Sequence, residues 1–129
     1  MFLREEKGSA VAESAILFMI YFYIIFMGIV FSLAIWSKIV VYDAAREGAR
    51  YQALGNGSAA VKVNETLQDG LLKTANVQSI NISSGSNYVT VTVKYNQPSF
   101  LPLLPTLLGG SPFDTNFVIN GAALFKIET

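Results

Sequence analysis

Cysteine and histidine are both absent from this chain of 129 residues, and the two absences close off most site chemistry. Without Cys there is no disulfide, no thiolate nucleophile and no thiolate metal ligand. Without His the commonest metal ligand and the commonest general base are gone. The lack of Cys is compatible with an envelope or extracellular location and does not require one. Charge is scarce too, at 14% of residues, and balances to a formal net of zero. From Lys38 onward seven Lys or Arg stand against six Asp or Glu, so no basic field is present to attract nucleic acid. Carboxylate-only hydrolysis or Ser-Lys chemistry survives formally, but no acids cluster to support either. The expectation is a protein without catalysis, metal or cofactor.

What the chain has in excess is apolar sequence, 52% of residues, concentrated in the N-terminal third. Residues 14–37 form a run of 24 without a formal charge, about 36 Å as a helix. That length crosses a hydrocarbon core of roughly 30 Å with some tilt. The run is longer than the 7–15 apolar residues of a secretory signal and ends in Trp36-Ser37-Lys38 without an Ala-x-Ala site, so it is expected to be retained. Trp36 and Tyr42 suit an interfacial belt. Gly28, Ser32 and Ala34 give a weak signal for a close helix neighbour. Arg4 and Lys7 on one flank are matched by Lys38, Arg46 and Arg50 on the other, which leaves the positive-inside rule undecided. Glu13 stands at the mouth of the run, where a carboxylate is expensive and needs a reason.

The helix is expected to run past the membrane boundary, from about residue 6 to about residue 54, until Gly55-Asn56-Gly57 stops it. In its polar half Ala45, Ala49 and Ala53 lie four apart, as do Asp43 and Glu47, and Arg46 and Arg50. Two readings of these charges stay open. Either they pair within the helix on a solvated face, or they meet neighbouring subunits or anionic headgroups. Residues 59–74 read as a second, amphipathic helix burying Ala60, Val63, Leu67, Leu71 and Leu72.

The period then changes to two. Val77, Ser79 and Asn81 oppose Gln78, Ile80 and Ile82, and after a turn of about five residues Val89, Val91 and Val93 share one face of a second strand. Residues 97–116 carry all four prolines. Their Leu-Pro stretch, residues 100–110, is too apolar for a solvated loop; it either packs over the sheet, the favoured expectation, or touches the membrane or a partner. Residues 117–127 form a last strand, expected to break near Gly121. The pattern predicts an α+β fold: a long N-terminal transmembrane helix, a short helix, and a three-stranded antiparallel sheet.

Three features now resemble the TadE-like (TadE/TadG) pseudopilins of tight-adherence, or Flp-type, pilus systems. Gly8-Ser9-Ala10-Val11-Ala12-Glu13 before the apolar run looks like a prepilin processing site. Ala44, Ala45, Arg46, Glu47, Gly48, Ala49 and Arg50 are close to the signature such proteins carry just past the membrane. The third is the overall plan of a hairpin, a Leu-Pro segment and a terminal strand. One departure is Ser14, where such proteins usually place an aromatic residue.

The resemblance implies a non-catalytic minor pilin or pseudopilin. A prepilin peptidase would cut between Gly8 and Ser9, removing residues 1–8 as a leader. The helix of residues 9–54 would stay in the inner membrane as a single pass, with the transmembrane segment at 14–37 and an extracytoplasmic domain at 55–129. Glu13 would serve assembly by meeting the amine of Ser9 on a neighbouring subunit. The implied partners are the membrane, the peptidase, other pilin or pseudopilin subunits and assembly platform proteins. The alternative is a membrane-anchored adhesin or sensor module that enters no filament.

Overall fold

The structure, a computed structural model, describes residues 2–99, 106, 109–111 and 114–127. The first helix, α1, runs from Phe2 to Ala53 without interruption, 52 residues or about 78 Å. It holds no proline, and its two internal Gly in the apolar half, Gly8 and Gly28, have no neighbour within 4 Å of where a Cβ would stand. The stop comes where the Gly-rich break places it. Gly55 takes a left-handed φ of 71°, the Asn56 N–H donates to the Tyr51 carbonyl and the Gly55 N–H to that of Gln52. These two bonds form a Schellman cap, which needs a residue without a Cβ penalty at this position.

A second helix, α2 (Ala59–Asp69), turns back along α1. It begins beside Gly48, where an added Cβ would lie 2.6 Å from Val63 Cγ2. It ends beside Trp36, whose Nε1–H donates to the Gly70 carbonyl at 3.2 Å. Its buried residues are Ala59, Val63 and Leu67, spaced one turn apart. Ala60 is only partly buried, and the helix ends five residues before the expected 74. The cap is again of Schellman type: Leu72 N–H donates to Leu67 O and Leu71 N–H to Gln68 O, both 2.9 Å. Leu67 and Leu72, the pair that clasps such a cap, are both buried. The left-handed residue here is Leu71, φ 62°, a conformation that costs a residue with a Cβ about 1–2 kcal/mol. Leu71 was expected in the core and is instead 90% exposed, because the cap rotates it out of the helical phase.

A short 3₁₀ turn (Thr74–Asn76) leads into the sheet. Strands β1 (Val77–Ser84), β2 (Tyr88–Pro98) and β3 (Asn116–Lys126) pair antiparallel in that order. Val89, Val91, Val93 and Tyr95 are buried on one face, and Val91 pairs with Ile82 on one side and Ala123 on the other. The expected alternation in β1 holds only after a bulge: the register shifts between Val77 and Ser79. The extra residue brings both Val77 and Ile80 against the core, whereas a strict period of two would set them on opposite faces. The loop shortens to residues 85–87, since Ser83 and Ser84 pair with Thr90 and Val89.

The expected break in β3 is not there. Pairing runs unbroken from Asn116 to Lys126, through Gly121 opposite Val93. Gly121 answers a different need, because an added Cβ would stand 2.8 Å from the Val41 carbonyl oxygen. The sheet lies against the backbone of α1 at that point. The Leu-Pro stretch expected to cover the sheet falls largely outside the described residues.

One core joins all these elements. Along α1 it takes Ala34, Ser37, Val40, Val41, Ala44, Ala45 and Ala49, a stripe at helical spacing. Met27 and Val30 are partly buried on its extension. Val41, Val63, Leu67, Val89, Val91 and Val93 are its largest fully buried side chains, each contributing about 1.5–3 kcal/mol.

Candidate functional site

The residues singled out from the sequence fall at two places on α1, its apolar N-terminal half and its exit into the head formed by α2 and the sheet. Residues 8–53 contain a window apolar and long enough to cross a membrane, with mean hydropathy 2.5 and none of it buried within the protein. Phe18 and Phe22 are exposed, and no described residue covers them. The rings of Phe18 and Phe22 stack at 6.4 Å, one turn apart, in a wide apolar groove that also takes in Ala15, Met19 and Phe26.

At the start of this half, Gly8, Ser9 and Glu13 lie on one continuous stretch of helix, all exposed. Glu13 has no hydrogen bond or ion pair with another described side chain. Ser14 directs its hydroxyl to the Ala10 carbonyl at 2.7 Å, so a hydroxyl occupies the place after the glutamate without leaving a donor unsatisfied. Gly8 has open space around it. A glycine in a helix interior costs roughly 0.5–1 kcal/mol relative to Ala, and no packing among the described residues asks for it.

At the exit, the seven motif residues divide into two sets with different work. Ala44, Ala45 and Ala49 are completely buried, and Gly48 meets α2. Their smallness lets two layers of the head approach the helix backbone. Ala53, the third member of the expected small-residue stripe, is partly buried at the edge of the same core. Arg46 and Arg50 point outward, with Glu47 half-buried between them. Arg50 Nη1 lies 3.9 Å from Glu47 Oε1. This is a loose intrahelical pair at an exposed site, where such pairs are worth roughly 0–1 kcal/mol. Asp43, Arg46, Glu47 and Arg50 line one side of an open groove of about 520 Å³ that also touches Thr66 and Phe125.

Gln52 is a residue that pattern reading passed over. Its Oε1 accepts the Ala59 N–H at 3.2 Å and its Nε2 donates to Ser84 Oγ at 3.3 Å. It thereby caps α2 and ties it to β1. Ser58 stands at the N-cap position without making the side-chain bond, so the usual local signal points one residue type away from the actual cap. Only the tertiary arrangement reveals Gln52.

Among the described residues no group of three or more acids gathers as a metal site would require. The proton affinity of Lys62 is raised, chiefly by its 3.0 Å hydrogen bond to Glu65 on the exposed side of α2. The described surface of α1 is apolar along its N-terminal half and polar at its exit into the head.

Residues 8–50 match the model of the TadE-like protein family, the family that the processing-site pattern and the exit motif resemble. The match covers the apolar helix and the exit motif and stops before the head's second helix and sheet. That family is associated with tight-adherence pilus systems and is structural in character. No curated protein and no solved structure matches the chain.

Proposed function

We propose that this chain, whose membrane-length helix and exit motif carry the TadE-like match, is a minor pilin or pseudopilin of a tight-adherence assembly. It is held in the inner membrane by α1, with its head on the extracytoplasmic side. The observation that carries this reading is Gly8. It sits at a point of α1 where no described neighbour lies close enough to require a glycine, five residues before Glu13, which has no partner among the described side chains, and a processing enzyme is the agent that would need it. Residues 1–8 are then a leader, Ser9 the new N-terminus, and Glu13 a carboxylate one turn along, free to meet the amine of an adjacent subunit.

The groove at Arg46, Glu47 and Arg50 belongs to the same reading. Arg46 lies ten residues beyond Trp36, about 15 Å along the helix. If Trp36 marks the interface, the motif charges stand clear of the headgroup layer. Pairing with neighbouring subunits then accounts for them better than pairing with lipid.

Co-expression with the cognate prepilin peptidase tests the proposal. Intact-mass measurement is expected to find a chain starting at Ser9, and Gly8→Val is expected to block the cut while leaving the head folded. Assembled native material that keeps Met1 would instead favour the second reading, a membrane-anchored adhesin or sensor outside any filament.

A further inference from the structure

Leu71 stands out in the head. It is a large apolar residue in a left-handed conformation, which bulky residues rarely adopt, and it is 90% exposed. The glycine at the preceding position, Gly70, is taken up by close packing, since an added Cβ would run into the Val40 side chain, and the cap is built one residue later, with Leu71 in the strained place. Strain of this kind, held at an exposed position, points to a use for the side chain rather than for the fold.

Its location identifies the use. The Trp36 indole donates to the Gly70 carbonyl, so Leu71 is fixed at the level of Trp36, at the end of the head nearest the apolar run. Leu33, Trp36, Leu71 and Pro98 share one shallow groove there, with Lys73 beside them. The bilayer's hydrocarbon core has two natural placements on α1. It is either centred between Glu13 and Lys38, or it ends at Leu33, below the head's first buried contact at Ala34. The two placements set Trp36 about 1–5 Å outside the hydrocarbon. The headgroup layer is roughly 5–8 Å deep on each side, so Trp36 and Leu71 fall inside it under either placement. Lys38 and Lys73 flank this level with charges suited to anionic headgroups.

From these positions we infer that Leu71 is a second membrane contact, seated in the lipid headgroup layer beside Trp36 and fixing the head against the bilayer surface. The occupant of the apolar groove at the base of the head is lipid, continuous with the lipid around α1. The inference rests on α1 spanning the bilayer, as proposed above.

Because the chain has no native Cys, single-Cys variants carry one environment-sensitive fluorophore each. Full-length Leu71→Cys, Val61→Cys and Phe22→Cys, labelled with NBD, are reconstituted in vesicles of phosphatidylethanolamine and phosphatidylglycerol. Position 61 lies on the exposed side of α2, and position 22 lies mid-helix. Emission from position 71 is expected to shift to shorter wavelength than from position 61 and to be quenched by nitroxide lipids labelled near the headgroup. A signal at 71 as aqueous as that at 61 overturns the inference. So does a shifted signal that nitroxide lipids leave unquenched, since protein rather than lipid would then cover the site. If position 22 is itself aqueous, the spanning helix fails instead. A second variant removes dependence on the label: Leu71→Gly, in detergent, is expected to melt no lower than wild type. A clear drop in melting temperature would mean that Leu71 serves the fold.

Discussion

At the scale of single residues, Glu13 and Gly48 illustrate two ways in which a small choice decides a large outcome. Glu13 lies at the edge of the apolar run, and a carboxylate inside hydrocarbon costs about 2.5–3.5 kcal/mol on insertion scales. Removing it should therefore ease insertion. In the pilin-type reading it should also deprive a neighbouring Ser9 amine of its counter-charge. Glu13→Ala is expected to leave membrane abundance and head folding unchanged and to lower recovery in sheared surface fractions; equal recovery would reduce Glu13 to an interfacial residue. Gly48 is decided by sterics alone, since the nearest atoms of α2 leave no room for a side chain. The small residues of the motif thus build the joint between helix and head, while Arg46 and Arg50 face outward.

At the scale of elements, the sheet's buried face gives the sharpest test. Val91 is fully buried between Ile82 and Ala123. Val91→Asp should place an unpaired carboxylate in the core at a cost of several kcal/mol. The expected result is loss of cooperative unfolding in a fragment starting at Lys38; full thermal stability would mean the register is wrong. How far the elements were legible follows from the same physics. The long helix, the hairpin and the Val89–Val91–Val93 face could be read because period and composition agree over many residues. The misreadings sit where one residue resets a phase. The bulge at Val77 put two apolar residues of opposite parity on one face, and the cap at Leu71 turned an apolar residue outward. Gly121 read as a strand breaker, though its role is to admit the Val41 backbone. No local pattern carries that last fact, because the partner lies 80 positions away. The motif was legible as a motif, but its division into packing and outward-facing residues needed the tertiary core.

At the scale of the whole molecule, the helix and the head are parts of one folded unit. The inner faces of α2 and the sheet close on Val40 to Ala49 of α1, not on each other alone. A fragment starting at Lys38 keeps those residues, and one starting at Gly55 loses all of them. Circular dichroism and thermal melting are expected to find the first folded and the second without cooperative structure. A folded, cooperatively melting second fragment would contradict the shared core. On the expected result, the proposed boundary at residue 54 marks where the chain turns, and the core shared with the head takes in residues of α1 before it. The uninterrupted α1 has a mechanical consequence. With no hinge between Glu13 and the head, the compass bearing of the carboxylate sets that of the sheet. Inserting a single residue between them would swing the head by about 100° and lift it by about 1.5 Å. A chain seated by its foot therefore has its face already aimed.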